Sequence, residues 1–181
     1  MKPKKFSPAE RGFTLIEIVV TLAIIAVIFA IASTSFNRVN SESNLRAAAE
    51  SLTSDLRAAA LSALNSEQFQ LQTAPGWGVY LDDTGNSYTV FADFDGDKAY
   101  DSNEKFKTTV FSKNIDLGAI YFNSLGHTNG AVYFYDATAE PRFKGTIITS
   151  GTGDLEIQLD DLVSAARKSI WVNPFAAVTI E

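Results

Sequence analysis

The sequence has few of the residues on which disulfides, metal sites and acid–base catalysis depend. Its 181 residues include no cysteine, one methionine and one histidine. The absence of cysteine excludes disulfides and thiolate metal sites. The single histidine, His127, excludes multi-histidine metal sites, and its segment SLGHTNG predicts an exposed loop residue. Because nearly all carboxylates fall in predicted turns with no implied apolar pocket, we expect no enzyme activity.

Glycine and proline are also absent from residues 13–74. Nothing in this stretch forces a helix to stop, so we predict one helix from Phe13 to about Asn65. The second half of this helix carries a narrow apolar stripe at steps of three and four. The stripe consists of Leu45, Ala49, Leu52, Leu56, Ala59 and Ala63. An alanine-rich stripe allows close packing, so we expect a β domain to cover it.

Charge is unevenly distributed along the chain. Residues 1–12 contain four basic residues and one acid, whereas the remainder contains 11 basic and 20 acidic residues. A basic flank stays in the cytoplasm by the positive-inside rule, so the chain after residue 32 is expected outside. The acidic remainder disfavours a nucleic-acid partner, because phosphate binding needs clustered Lys and Arg.

A long apolar run follows the basic flank. Residues 13–32 contain one charge, Glu17, in 20 residues, about the length that a helix needs to cross a bilayer core. As a plain membrane anchor the run would give Glu17 no role. As a secretory signal it would be cut after Ala32, at the small-x-small site 30–32, and would release a soluble β-domain protein. A third interpretation places cleavage before the run.

The segment GFTLIEIVVTLAIIAVI (12–28) closely resembles the prepilin signature of type IV pilins and type II secretion pseudopilins. The resemblance implies that prepilin peptidase cuts between Gly12 and Phe13 and that Phe13 is then N-methylated. Glu17 follows Phe13 by four residues and would therefore lie on the same helix face. The resemblance further implies that Glu17 pairs with the N-terminal ammonium of a neighbouring subunit and sets the register of a filament.

The same resemblance implies a division of the chain and a set of partners. Residues 1–12 would be the prepilin leader, 13–36 the transmembrane and assembly half of the helix, 37–66 its amphipathic half, and 67–181 a globular β domain. The expected partners are prepilin peptidase, other pilin or pseudopilin subunits and the inner-membrane assembly platform. The protein would cross the inner membrane once, with its globular domain periplasmic or extracellular, and then join a filament. Both a pilus and a secretion pseudopilus remain open.

After residue 68 the pattern changes to short segments rich in Val, Ile, Tyr and Phe that are separated by turn residues. The predicted strands are 69–72, 78–81, 87–92, 105–111, 119–122, 132–135, 145–149 and 155–159. The predicted fold class is therefore α+β, a long N-terminal α-helix packed on a C-terminal antiparallel β-sheet or sandwich, as in the pilin fold.

Part of the chain looks like the minor-pseudopilin H and fimbrial-protein T family. The similar segments are 45–66, 76–83 and 142–157, together with the acidic turn at 93–104. Some fimbrial-T-type proteins capture DNA for uptake through a basic Gly-Arg-x-Arg element, which gives DNA binding as an alternative function. The matching positions here are 153–156, where Asp154 and Glu156 replace the arginines. This reversal of charge disfavours DNA binding. The residues after Asp160 lie beyond the resemblance.

The acidic turn DFDGDKAYDSNE (93–104) is the candidate metal site. Asp93, Asp95, Asp97, Asp101 and Glu104 occupy positions 1, 3, 5, 9 and 12, the oxygen-ligand positions of a calcium loop. At position 6 the usual glycine is replaced by Lys98, and Gly96 comes two places early. The turn is either a solvated hairpin connection or a Ca²⁺ site, in which the ion would relieve the repulsion among five carboxylates.

Overall fold

The computed structural model describes residues 12–123, 125–135, 141–143, 146–147 and 154–181, with the side chains of 32–36, 135, 146 and 147 outside that description. The chain divides into two compact units, Met1–Arg38 and Val39–Glu181. Helix α1 (Leu15–Leu64) contributes residues to both units. It begins two residues later and ends one residue earlier than the sequence predicts.

The end of α1 does not depend on glycine. The N–H groups of Asn65 and Glu67 donate to the carbonyl oxygens of Leu61 and Ser62, each at 2.9 Å. Ser66 takes a φ of 49°, in the left-handed region that commonly turns the chain away from a helix.

The first unit contains the apolar half of α1. Its large apolar side chains from Leu15 to Ile31 are 50–83 % exposed. Among the described residues, no helix reaches the combined length and apolar character that crossing a membrane requires. The transmembrane assignment of residues 13–36 is therefore not confirmed.

The second unit contains two antiparallel sheets and a small hairpin. In the described residues the strands are β1 (Gln68–Phe69), β2 (Gln72–Thr73), β3 (Gly76–Asp82), β4 (Ser87–Asp93), β5 (Lys105–Val110), β6 (Ile115–Phe122), β7 (Leu125–His127), β8 (Asn129–Tyr135), β9 (Pro141–Phe143), β10 (Thr146–Ile147), β11 (Leu155–Asp161), β12 (Arg167–Val172) and β13 (Val178–Ile180). One sheet has the order β10-β9-β8-β3-β4-β5, the other has the order β13-β12-β11-β6-β7, and β1 pairs with β2. This arrangement agrees with the predicted α+β class.

The strand predictions differ from the structure in three places. The strand predicted at 69–72 is the β1–β2 hairpin, because Gln70 and Leu71 take φ angles of 53° and 64° and reverse the chain. Of the strand predicted at 145–149, the structure describes only residues 146–147, which form β10, because residues 145 and 148–149 lie outside the described part. Strands β7, β9, β12 and β13 were not predicted, and the last two complete the five-stranded sheet.

The predicted stripe of α1 is buried. Its six residues, Leu45, Ala49, Leu52, Leu56, Ala59 and Ala63, are each at most 2 % exposed. They share one hydrophobic core with residues of both sheets, such as Val79 of β3 and Ile157 of β11. The expectation that a β domain covers this stripe is confirmed.

A buried carboxylate joins α1 to the turn after β11. Asp161 is 1 % exposed, and its Oδ1 accepts hydrogen bonds from Ser41 Oγ at 2.6 Å and from the Val163 N–H at 2.9 Å. Ser164 Oγ donates to the other carboxylate oxygen. Burial by itself raises the pKa of Asp161, but these hydrogen bonds together outweigh it and hold the pKa below its ordinary value.

We expect Leu56→Ala to lower the free energy of unfolding by about 2–5 kcal/mol, because it leaves a cavity in a close-packed core. Leu61→Ala is a matched control, since the same truncation on the same helix removes a side chain that is 58 % exposed. We expect that control to change the stability by about 0.5 kcal/mol or less. Chemical denaturation of the two variants measures both values, and equal losses would contradict the assigned core.

We expect Asp161→Asn to lower the stability at neutral pH by about 1–3 kcal/mol, because the buried hydrogen bonds lose their charged acceptor. A carboxylate with a lowered pKa contributes stability above its unfolded pKa and loses that contribution as the pH falls through the folded pKa. The difference between the wild type and the variant should therefore shrink below about pH 4. Thermal unfolding across pH 2–7 checks this, and a difference that stays constant would contradict it.

Candidate functional site

The predicted cleavage site lies in an open segment before α1. Gly12, Phe13 and Thr14 precede the first helical residue. Among the described residues other than its chain neighbours, no heavy atom lies within 4 Å of the position that a Cβ on Gly12 would occupy, and Phe13 is 81 % exposed. A protease needs an accessible peptide bond with a backbone that it can extend, and glycine offers the least resistance to extension. The Gly12–Phe13 bond meets both conditions.

Thr14 caps the start of α1, a contribution that the sequence analysis missed. The Glu17 N–H donates to Thr14 Oγ1 at 3.3 Å and to the Thr14 carbonyl oxygen at 3.1 Å. The Thr-x-x-Glu spacing of these two residues is the signature of a capping box, so a sequence signal was present. Because the helix begins at Leu15, Phe13 lies outside it. The expectation that Phe13 and Glu17 share a helix face is wrong for the described chain.

Glu17 is an exposed acid in the first turn of α1. A negative charge near a helix N-terminus is favoured by the macrodipole, typically by about 0.3–1 kcal/mol. The side chain of Glu17 takes no part in the bond between its own N–H and Thr14. Its carboxylate is accessible to a cation outside the helix.

The acidic turn connects β4 to β5. Asp93 is the last residue of β4 and is fully buried, whereas Asp95 and Asp97 are exposed. One carboxylate oxygen of each lies within 4.8 Å of the other two. Asp101 and Glu104 are outside this group. The described structure thus brings together three of the five predicted ligands.

The loop backbone folds around the buried Asp93. The N–H groups of Gly96 and Lys98 donate to its two oxygens at 2.6 and 3.1 Å. Gly96 and Lys98 both take left-handed φ angles, 76° and 67°. Lys98 therefore adopts the kind of backbone conformation that glycine usually supplies at position 6, at a cost of about 1–2 kcal/mol. The departure from the calcium-loop sequence does not prevent the turn.

Glu104 closes the other end of the turn. It is 1 % exposed, and its two oxygens accept the N–H groups of Phe94 at 2.8 Å and Asp101 at 3.1 Å. These bonds hold its carboxylate on the loop backbone, outside the group of three.

Aromatic side chains attach the turn to the β1–β2 hairpin on one flank and to the six-stranded sheet on the other. The Phe94 ring stacks on Phe69 with the ring centroids 5.9 Å apart. The Tyr100 ring stacks on Tyr80 at 5.1 Å and lies 5.5 Å from Phe91. The positions of the carboxylates are therefore set by packing as well as by hydrogen bonds.

Burial raises the pKa of Asp93 and of Glu104, and the neighbouring charge of Asp95 raises both further. Their ionised forms are thus disfavoured in the folded protein. A divalent cation would reverse this preference, and hard carboxylate oxygens suit Ca²⁺. Asp93, Asp95 and Asp97 are the residues that would hold it.

Two other sequence expectations concern isolated residues. His127 is part of β7 and half-buried, with its ring 5.3 Å from that of Phe143, so its assignment to an exposed loop is wrong. Glu156, at one of the positions matched to the DNA-binding element, accepts hydrogen bonds from Ser169 Oγ at 2.6 Å and Gln158 Nε2 at 2.9 Å. Its carboxylate is thus held on the sheet by neighbouring polar groups.

Comparison with protein families matches residues 7–33 to the prokaryotic N-terminal methylation motif. The matched range contains Gly12, Phe13 and Glu17. The chain therefore carries a type IV pilin-like prepilin signature, which is that of a prepilin-peptidase substrate. No curated protein and no solved structure matches the chain.

We expect millimolar Ca²⁺ to raise the melting temperature of the purified protein by a few degrees, since 1 kcal/mol of binding energy corresponds to about 2–4 °C in a chain of this size. The contribution of Asp93 and Glu104 to apo stability is present at low pH and lost as the pH rises through their raised pKa values. Because Ca²⁺ binds ionised carboxylates, the rise in melting temperature that it causes should be larger at neutral than at acid pH.

Asp95→Asn combined with Asp97→Asn should abolish that effect, and Asp154→Asn, an exposed acid elsewhere, should preserve it. Calorimetric titration of the three proteins provides a second readout. Neither heat nor a thermal shift with the wild type would reject calcium binding.

Proposed function

We propose that this protein is a structural minor subunit of a type IV pilus or a type II secretion pseudopilus. The observation that carries the proposal is the N-terminal methylation motif at residues 7–33. In proteins with this signature the leader is removed and the apolar segment is kept. The mature chain would begin at Phe13 with a methylated amine.

The open segment before α1 supports processing at the proposed bond. Gly12 and Phe13 are exposed and outside the helix, and the cap at Thr14 leaves them so without fraying α1. Prepilin peptidase would therefore meet an accessible bond next to a helix that is already formed.

The uncovered half of α1 supports anchoring followed by assembly. Apolar side chains from Leu15 to Ile31 that are at least half exposed would each gain roughly 1.5–3 kcal/mol from full burial. Lipid of the inner membrane would cover them first, and the helices of other subunits would cover them in the filament. The basic leader favours a cytoplasmic N-terminus, with the β domain periplasmic or extracellular.

Within that class we propose that the chain belongs with the minor-pseudopilin H and fimbrial-protein T group. The support is the order of elements, an amphipathic helix followed by β3, the acidic turn and β11, on the segments that resemble that group. The proposed partners are prepilin peptidase, other subunits and the inner-membrane assembly platform. We propose no catalytic activity, because the work of such a subunit is mechanical.

We expect the wild-type chain recovered from cells to begin with methylated Phe13, as read by mass spectrometry of its N-terminus. We expect Glu17→Ala and Glu17→Gln to be processed normally and to be depleted at least severalfold from the filament fraction. Glutamine is also accepted at this position of a capping box, so loss with Glu17→Gln assigns the defect to the missing charge.

Thr14→Ala is the control, because it weakens the helix cap while keeping the charge of Glu17. This variant should be incorporated into the filament. A chain that begins at Ser33 would overturn the proposed function in favour of a secreted protein. Normal incorporation of Glu17→Gln would overturn the charge-pairing role alone.

A further inference from the structure

A groove of about 760 Å³ lies between the last turns of α1 and the turn that joins β12 to β13. Sites for small molecules typically measure roughly 300–1,000 Å³ and are mostly apolar. The large apolar residues that line this groove are Leu61, Leu64 and Phe175, which are 58, 46 and 87 % exposed. The described chain therefore leaves the apolar lining largely uncovered. All of the lining belongs to the unit Val39–Glu181.

Hydrogen bonds fix the turn that carries Phe175. The N–H groups of Phe175 and Ala177 both donate to Asn173 Oδ1 at 2.9 Å. The Ala176 N–H donates to the Asn173 carbonyl oxygen at 3.1 Å, and Ala176 takes a φ of 56°. The turn thus has a defined shape that keeps the Phe175 ring outside the core. Exposed apolar side chains grouped around a groove are typical of a surface that binds a ligand.

Arg57 supplies a positive charge to the groove. It is the only charged residue among those that line it in the described chain. Its guanidinium donates to the Val178 carbonyl oxygen and has no other hydrogen-bond partner within the described residues. A guanidinium carries five N–H donors in a fork that matches a carboxylate, so further donors are available to a ligand. The groove is cationic on a chain whose net charge is −6, which favours an anionic occupant.

A second cavity, of about 470 Å³, shares Arg57 and Leu61 with the groove. Thr53 also lines this cavity. It is 3 % exposed, and its Oγ1 has no hydrogen-bond partner among the described residues. A buried hydroxyl without a partner is uncommon and indicates a group outside the chain that bonds to it. The acid that lines the cavity, Glu50, is paired with Arg46, with Oε1 and Nε 2.8 Å apart.

The polar and apolar parts of the two cavities follow one another along α1. Thr53 and Arg57 come first, and Leu61 and Leu64 follow, over roughly 16 Å of helix. A ligand with an anionic head and one hydrocarbon chain matches this order. An extended peptide is a poorer match, because its backbone would need hydrogen-bond partners along the apolar part as well.

We propose that this groove binds a single-chain carboxylate amphiphile, such as a fatty acid, with the carboxylate at Arg57 and the hydrocarbon chain between Leu64 and Phe175. The carboxylate would accept charge-assisted hydrogen bonds from the guanidinium and a further bond from the Thr53 hydroxyl. The inference is independent of the proposed function, because it uses no residue of the apolar run.

Photoaffinity labelling of the full-length chain in a non-ionic detergent tests the proposal. Three diazirine-bearing probes share one hydrocarbon chain and differ in their head group, as derivatives of decanoate, decanol and decylamine. Mass spectrometry of peptides identifies the labelled residues. The exposed apolar side chains from Ile18 to Ile31 are the internal reference, because they contact any apolar probe that the detergent carries.

We expect the decanoate probe to label residues 57–64 and 174–179 at least fivefold more than the other two probes, each measured relative to the reference. Arg57→Gln should remove this preference. Arg46→Gln is the matched control, because it removes a cation on the same helix that does not line the groove, and it should keep the preference.

Two further variants test the site without removing a hydrogen bond that the structure shows. Thr53→Val should lower decanoate labelling of the groove at least twofold, and Phe175→Ser at least threefold. Melting curves that match the wild type exclude misfolding as the cause. Unchanged labelling in both variants would overturn the inference. Equal labelling of the groove by all three probes would also overturn it, in favour of apolar contact alone, and so would labelling confined to the reference residues.

Discussion

Burial of one face of α1 holds the second unit together. The six stripe residues pack against strands of both sheets, so neither sheet forms its half of the core without the helix. The small side chains of Ala49, Ala59 and Ala63 allow β-strands to approach the helix closely. The stripe spans residues 45–63, and the polar bond between Ser41 and Asp161 extends the attachment beyond the apolar contacts.

The parts of the fold that follow a strict period could be predicted from the sequence. The stripe could be predicted because steps of three and four admit only one helix face. The absence of Gly and Pro allowed one continuous helix, and each predicted end of α1 lies within two residues of the observed end. Strands β12 and β13 were not predicted, because the chain between them is interrupted at Asn173 and Pro174. The sheet that they extend also depends on the pairing of β11 with β6, which is distant in sequence. The helix cap at Thr14 could also be predicted, because the Thr-x-x-Glu spacing to Glu17 is visible in the sequence.

The acidic turn shows the limit of spacing arguments. Five carboxylates occupied calcium-loop positions in the sequence, but which of them converge depends on the path of the loop backbone. Asp93, Asp95 and Asp97 come together, whereas loop N–H groups hold the Glu104 carboxylate outside this group. Tyr100 and Phe94 then position the loop through ring contacts that no spacing rule contains. The left-handed backbone of Lys98 could not be predicted either, because its residue type does not favour that conformation.

The apolar residues of the two halves of α1 differ in their exposure to solvent, and the N-terminal motif accounts for the difference. The stripe residues from Leu45 to Ala63 are covered by the chain itself, whereas the large apolar side chains from Leu15 to Ile31 are at least half exposed. A helix that is apolar all round is stable in apolar surroundings, which the proposed membrane and filament would supply. In such surroundings a lone carboxylate is costly unless a cation meets it. Cleavage before Phe13 would create that cation on every copy of the chain, so the one charge in the apolar half and the one amine that processing exposes are matched in number.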